Sequence, residues 1–165
     1  MMRSENEMLR SVKHLLWSYV DGKHEVERCA DALELIEKEL TSAGVQTLTG
    51  MPRNPSPSYD RWVELLAQKD EIEEEVRSRN LDLENKRKQI NALIKAVESA
   101  EQRAIIRFRY CLGRDWDEVL GEMYMNQEDF LDREETYKRR MYMQHAKALQ
   151  TMAIVFDRIS NQKIS

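Results

Sequence analysis

Apolar residues recur at helical spacing along most of the chain, and breaks in this pattern divide it into candidate helices. One series runs from about Glu5 to Val20 and a second from about Lys23 to Ser42, with Asp21-Gly22 between them. Gly44 follows the second series, and a glycine in this position commonly ends a helix. We therefore predict an N-terminal helical hairpin over residues 1–43.

The stretch 44–58 interrupts the apolar pattern with turn-forming residues. It contains all three prolines of the chain and two of its five glycines. Proline lacks a backbone N–H and glycine loses more conformational freedom in a helix than other residues, so both disfavour helix continuation. This composition predicts a loop or flexible linker between the hairpin and the next helix.

A long helix with a seven-residue apolar repeat, typical of a coiled coil, is predicted over residues 59–100. Eight of eleven repeat positions are apolar. Two interpretations stay open: the helix packs on the first two helices of the same chain, or it pairs with a second copy or another protein. The acidic run 71–75 has basic neighbours, which favours a solvent-exposed face over a metal site. The repeat comprises Trp62, Leu65, Lys69, Ile72, Val76, Arg79, Leu83, Lys86, Ile90, Leu93 and Val97.

Residues 101–159 contain three predicted helices in the order of a helix-turn-helix domain. The first ends at Gly113, and Asp115 with Glu118 can form a capping box for the second, which spans about 116–124. The last helix starts near residue 133 or 136 and extends at least to residue 152. Its predicted core face consists of Met141, Ala148, Leu149 and Met152.

Charge is distributed unevenly, although the formal net charge is only −4. The segment 115–135 contains nine acidic residues and one basic residue, whereas 137–147 contains four basic residues, His145 and no acidic residue. A basic helix next to an acidic segment creates a local electric field that the net charge does not show.

The last helix carries seven candidate DNA-binding residues. Arginine pairs with guanine and glutamine with adenine in the major groove, and lysine, tyrosine and histidine can hold phosphates. An ordinary solvent-exposed helix face explains the same basic run equally well. The candidates for base edges are Arg139, Arg140 and Gln144, and those for phosphates are Lys138, Tyr142, His145 and Lys147.

Residues 101–152 resemble region 4 of bacterial sigma factors. The resemblance rests on Arg109-Tyr110, Gly113, the run Trp116–Val119 and the candidate recognition helix Arg139–Leu149. Most of the chain also resembles small phage and prophage proteins of Gram-positive bacteria, the RinA- and ArpU-like late transcription regulators and related families. This resemblance implies an all-α fold, promoter DNA as the ligand, and host RNA polymerase as a further partner.

The acidic segment 126–135 departs from the tight turn that is usual in region 4. Three interpretations stay open for it: it extends the recognition helix backwards, it forms a short extra helix packed through Phe130 and Leu131, or it marks DNA binding that has been modified or lost. Acidic residues beside a recognition helix repel phosphate.

Other function classes receive little support from the sequence. We expect no enzyme, cofactor or metal site, because there is no phosphate-binding loop, nucleophile elbow or ligand cluster. Cys29 and Cys111 are expected to be reduced thiols, and no apolar run is long enough to span a membrane, so a location in the host cytoplasm is expected. The alternatives are a module that binds RNA polymerase, a host sigma factor or a host defence protein, or a small terminase-like packaging protein.

Overall fold

Every regular element in the described part of the chain is helical, which confirms the all-α prediction. The computed structural model describes residues 3–48 and 56–165, with side chains for 3–42 and 59–165. A π-helical turn, Arg107–Cys111, continues the third helix. The helices are α1 (Glu5–Leu48), α2 (Ser56–Lys95), α3 (Ala100–Ile106), α4 (Trp116–Tyr124) and α5 (Glu134–Gln162).

The predicted N-terminal hairpin is wrong, because α1 is a single helix that runs through both Gly22 and Gly44. A glycine inside a helix costs only about 1 kcal/mol relative to alanine, so it does not by itself end one. Gly22 has a packing role: a Cβ atom at this position would lie 2.7 Å from Cδ2 of Leu83 in α2. The missing side chain therefore permits close approach of α1 and α2.

The predicted bounds of the loop 44–58 are wrong at both ends, since α1 continues to Leu48 and α2 begins at Ser56. Residues 49–55 lie outside the described residues. The long predicted helix corresponds to α2 but ends at Lys95 rather than at residue 100. The Arg103 guanidinium donates to the carbonyls of Val97 and Glu98, both at 2.7 Å, and so satisfies backbone acceptors between α2 and α3.

The chain divides into two compact units. The first, called the core unit, consists of Met1–Asp21 and Asn85–Ser165; the second, called the two-helix unit, is Gly22–Glu84. In the two-helix unit, later residues of α2 contact earlier residues of α1, so these helix segments are antiparallel. The contacts are Arg61 with Glu39 at 3.0 Å, Lys69 with Glu37 at 3.9 Å, and Leu83 with Gly22.

The core unit is organised by α3, α4 and α5, which share a hydrophobic cluster. Ser99 caps α3, and Asp115 and Glu118 form the predicted capping box at the start of α4. Gly113 adopts a φ of 67°, a left-handed conformation that glycine reaches without strain, at the turn that precedes α4. The buried members of the cluster are Ile105, Val119, Leu120, Tyr124 and Met141.

Residues 126–133 of the acidic segment form turns and bends and only Glu134 and Glu135 belong to α5, so no extra helix is found and the last helix does not extend back through the segment. Phe130 packs on the α3–α4–α5 cluster as expected, but Leu131 is 87% exposed. Backbone hydrogen bonds such as Phe130 N–H to the Gln127 carbonyl order the segment. Of residues 125–133, only Phe130 packs on the α3–α4–α5 cluster, so the segment lacks the repeated apolar positions that a buried helix face requires.

Candidate nucleic-acid interface

α5 has one face in the core and an opposite face in solvent. Met141, Ala148, Leu149 and Met152 lie on one side of a 3.6-residue helix, and all four are buried. The predicted core face of the last helix is therefore confirmed. The exposed face, called the α5 stripe, consists of Arg139, Tyr142, Met143, Ala146, Lys147 and Gln150.

Arg140 forms a bidentate ion pair with Glu101 of α3. Its Nε lies 2.7 Å from Glu101 Oε1, and its Nη2 lies 2.9 Å from Oε2. The Tyr124 hydroxyl donates to Oε1 of the same carboxylate at 2.6 Å, which joins α4 to the pair. The Nε–Nη2 edge of the guanidinium, which could otherwise donate two hydrogen bonds to a guanine, is therefore occupied by the Glu101 carboxylate.

The pKa shifts of Glu101 and Tyr124 agree with the hydrogen bonds that these side chains form. The hydrogen bond from Arg140 holds the pKa of Glu101 below its usual range, although burial opposes this effect. Burial, followed by the hydrogen bond to Glu101, raises the pKa of Tyr124. An ionised carboxylate shared between a guanidinium and a phenol hydroxyl ties three helices together.

Gln144 and His145 are also engaged within the core unit. The Gln144 Oε1 atom accepts a hydrogen bond from Gln102 Nε2 at 2.8 Å. The Nε2 atom of His145 and the Tyr110 hydroxyl are hydrogen-bonded at 2.9 Å, and the two rings are stacked. Sequence reasoning missed both partners, because they lie 42 and 35 residues away along the chain and no local pattern connects them.

The His145 imidazole is neutral near pH 7. Burial, together with the positive charges of Lys13 and Arg109, lowers the pKa of His145 to about 4. Trp116 packs edge-on against the ring, with centroids 4.7 Å apart. A neutral, hydrogen-bonded ring in this setting cannot bind phosphate as a cation.

Arg109 lies between two indole rings. Its guanidinium carbon is 5.1 Å from the Trp17 ring centre and 4.9 Å from that of Trp116, and Nη1 donates to the Arg114 carbonyl at 3.0 Å. These cation–π contacts fix the π-helical turn against α1 and α4. The contact of Trp17 with Arg109 was not predicted from the sequence. The position of Trp17 outside the apolar face of its helix was the one signal that could have indicated it.

Four of the seven predicted DNA-binding residues remain candidates for contact. Arg139 and Lys147 are exposed on the α5 stripe and are about 12 Å apart along the helix axis, comparable with the width of a major groove. Tyr142 is 41% exposed and meets Trp116 edge-on at 5.1 Å. Lys138 is half-buried. The stripe therefore presents two cations around an apolar centre.

The segment 125–135, called the acidic loop, directly precedes the α5 stripe. The Tyr137 hydroxyl donates to Asp129 at 2.5 Å, and this bond lowers the pKa of Asp129. Arg133 pairs with the same carboxylate at 3.4 Å. Negative charge here stabilises the N-terminus of α5 but repels a phosphate backbone from its first turn.

The described residues contain no group of three or more His, Cys, Asp or Glu side chains that could hold a metal ion. None of the helices in 3–48 and 56–165 is long and apolar enough to cross a bilayer. Cys29 and Cys111 are half-buried and form no disulfide. Comparison with protein-family models, curated proteins and solved structures finds no match to this chain.

Proposed function

We propose that this chain is a phage-encoded transcription regulator that binds promoter DNA through a sigma region 4-like helix-turn-helix formed by α3, α4 and α5. The observation that carries the proposal is the α5 stripe, which exposes Arg139 and Lys147 on a segment, 137–150, without acidic residues. In such domains a short helix supports a recognition helix that enters the major groove. α4 suits the supporting role, because it is capped and buries Val119 and Leu120.

The proposed contacts divide into base reading and phosphate binding. Arg139 reads a base edge, with guanine as the preferred base. Lys138 and Lys147 contact phosphates through their ammonium groups, and Tyr142 through its hydroxyl. Met143 and Ala146 lie between the two exposed cations and suit apolar contact with a thymine methyl group.

Arg140, Gln144 and His145 have a different role in this proposal: they orient α5. Their polar atoms are engaged by partners on α3 and the π-helical turn, at 2.7–2.9 Å. Replacing them would therefore disturb the recognition helix through its position rather than through a lost DNA contact. The orientation of a recognition helix determines which side chains reach the groove.

The acidic loop makes the proposed binding weak and strongly dependent on salt. Each neutralised phosphate contributes about −0.9 to the slope of log affinity against log salt, and nearby carboxylates oppose association. We therefore expect saturable binding at low ionic strength that is lost at higher salt. Promoter binding in the cell would then benefit from simultaneous contact with host RNA polymerase.

Selection from a random duplex pool at low salt, followed by anisotropy titration, tests the proposal. We expect one enriched motif, and we expect Arg139→Ala with Lys147→Ala to lower affinity about tenfold or more. Lys38→Ala with Arg61→Ala, which removes two exposed cations from the two-helix unit, is the matched control. If no motif is enriched and binding does not saturate, the chain is not a sequence-specific DNA-binding protein.

A protein–protein interaction module is the second candidate function. The two-helix unit has 15 acidic and 8 basic residues and therefore a formal net charge of −7. Aromatic residues are enriched at protein interfaces. The proposed partners are RNA polymerase, a host sigma factor or a host defence protein. Among the residues of this unit whose side chains are described, the exposed large apolar ones are Leu35, Tyr59, Trp62, Val63 and Leu81.

Purified host RNA polymerase and sigma factor distinguish the two functions. A stoichiometric complex that Tyr59→Ala with Trp62→Ala dissociates, without any selected DNA motif, would favour the interaction module. Both side chains are at least 40% exposed, so the substitutions should leave folding intact. A selected motif together with an unaffected complex would favour the regulator.

We also propose that α2 supports a homodimer, since its repeat positions Val76 and Leu83 are only half-buried within the chain. A dimer is the common state of helix-turn-helix regulators that bind two half-sites. A closed ring would instead favour a small terminase-like packaging protein. Sedimentation of the intact chain separates these alternatives, and a regulator of this kind would act in the cytoplasm of the host cell.

A further inference from the structure

The core unit contains a groove with an apolar floor on a surface that the α5 stripe does not include. The groove consists of two adjoining depressions, about 520 and 440 Å³ in volume, that share the side chain of Phe156. The start of α1, the end of α2 and the end of α5 form its walls. Leu15, Leu93 and Ile159 complete the floor with Phe156.

Positive charge surrounds this floor, and we call the whole surface the basic groove. The cations Arg10 and Lys86 line one depression, beside the imidazole of His14, and Lys88 and Lys163 line the other. Neither depression is lined by an acidic side chain. The groove therefore suits a ligand that combines an apolar group with negative charge.

The acidic loop has the complementary character. Leu131 is 87% exposed and Met125 is 66% exposed, and carboxylates flank them on both sides. The loop is ordered, since Phe130 packs on the α3–α4–α5 cluster and Tyr137 binds Asp129. An ordered loop loses less conformational entropy on binding than a flexible one. The flanking exposed carboxylates are those of Glu128, Asp132, Glu134 and Glu135.

We propose that the acidic loop of one copy of this chain binds in the basic groove of a second copy, with Leu131 on the apolar floor. The flanking carboxylates then face Arg10, Lys88 and Lys163. Phe130 holds the loop on its own α3–α4–α5 cluster, and the side chains that line the groove do not include loop residues, so the loop does not occupy the groove of its own copy. This inference does not depend on DNA binding.

The apolar floor of the groove favours the loop over a nucleic acid as the occupant. A phosphate backbone would match the basic rim but would leave the apolar floor without a partner, whereas Leu131 can cover Phe156 and Leu93. Apolar burial combined with opposite charge gives both affinity and specificity in protein interfaces. Reciprocal binding closes a two-fold dimer, and one-way binding builds rings or open chains.

Analytical ultracentrifugation of the intact chain at low salt, over a range of micromolar concentrations, tests the proposal. We expect concentration-dependent association that Lys88→Glu with Lys163→Glu lowers at least tenfold, and that Leu131→Ser lowers as well. These three side chains are exposed, so the variants should keep the circular dichroism spectrum of the parent. The control Lys38→Glu with Arg77→Glu reverses two exposed charges of the two-helix unit and should leave association through the groove unchanged.

A charge exchange makes the test specific for this pair of surfaces. Asp132→Lys with Glu135→Lys reverses the charge of the loop and should likewise lower association through the groove at least tenfold. Mixing the loop-reversed and groove-reversed variants should restore association, because each reversed surface then meets its complement. A monomer at every concentration would overturn the proposal. So would an oligomer that depends only on the two-helix unit, or groove variants that lose DNA binding while self-association is unchanged.

Discussion

The core unit and the two-helix unit bury their apolar side chains to very different extents. Of the 21 buried hydrophobic side chains in the described part of the chain, 20 belong to the core unit and only Leu65 belongs to the two-helix unit. The core unit has 18 basic and 15 acidic residues, a formal net charge of +3, whereas the two-helix unit has a net charge of −7. Two helices can cover only one stripe of each other, but several helices can enclose a common core.

Because of this difference, we expect the core unit to determine stability and the two-helix unit to provide an accessible surface. The core unit should supply most of the free energy of unfolding, because buried apolar area is the main source of stability. Leu65 is the one buried hydrophobic side chain among the described residues of the two-helix unit, which exposes Trp62, Tyr59 and Leu35. Its long helices therefore suit a binding surface better than a second core.

The largest expected effect comes from the same substitution made in each unit. Ile105→Ala empties a fully buried position and should lower the free energy of unfolding by about 2–5 kcal/mol. Ile72→Ala, at a half-buried position of the two-helix unit, should cost about 1 kcal/mol. Urea denaturation monitored by circular dichroism measures both. Equal losses in the free energy of unfolding would show that the two units do not differ in how much apolar burial stabilises them.

Neighbouring arginines on α5 provide a smaller contrast within the core unit. Arg140→Ala removes the bidentate pair with Glu101 and should cost about 1–2 kcal/mol, since the pair is partly exposed and therefore screened by solvent. Arg139→Ala should change stability by less than about 0.5 kcal/mol, because the side chain is exposed. The same denaturation experiment compares them, and a similar loss for both would mean that the ion pair does not stabilise the protein.

Much of the core unit could be predicted from local sequence patterns. The capping box of Asp115 and Glu118, the extent of α4 and the core face of α5 all follow from short-range signals and are confirmed. The predicted helix end at Gly22 was wrong because a glycine can mark either the end of a helix or a place where two helices approach closely. Only the position of Leu83, 61 residues later in the sequence, decides between the two.

The candidate site was less accessible to sequence reasoning. The basic composition of α5 did not separate its exposed side chains from its engaged ones, since Arg140, Gln144 and His145 have the same residue types as the proposed DNA contacts. Their partners come from α3 and the π-helical turn, and the register of α5 against those elements sets the pairing. Such long-range registers are not encoded in the spacing of residues along one helix.

The buried histidine should make stability depend on pH. The unfolded imidazole binds a proton below about pH 6.5, but folded His145 binds one only near pH 4, so acidification favours the unfolded state in between. We expect a loss on the order of 1–2 kcal/mol as pH falls from 6.5 to 4.5. Glu101, whose pKa is lowered, adds its own loss only below about pH 4.5.

Denaturation of His145→Gln across that pH range measures this contribution. The variant should show a flatter dependence than the parent, whereas His14→Gln, at an exposed position, should reproduce the parent curve. An unchanged slope in His145→Gln would assign the acid sensitivity to other groups.

The smallest expected effect concerns the ion pairs of the two-helix unit. Arg61→Ala removes the 3.0 Å contact with Glu39, in which both side chains are more than half exposed. Such pairs contribute little because water and salt screen them, so the loss should be under about 0.5 kcal/mol. Denaturation at low and high salt checks this value. If Arg61→Ala lowered the free energy of unfolding as much as Arg140→Ala does, ion pairs in the two units would contribute equally to stability, contrary to this prediction.

The salt dependence of affinity for a selected duplex is the sharpest test of the proposed DNA binding through α5. Affinity of the intact chain for a selected duplex is measured by anisotropy over a range of salt concentrations, beside Arg139→Ala with Lys147→Ala and the control Lys38→Ala with Arg61→Ala. We predict that the α5 variant loses about tenfold or more in affinity and that the magnitude of its salt slope falls by about one, because Lys147 is its phosphate contact, with no change in the control. An unchanged affinity and slope in the α5 variant would contradict DNA binding through α5.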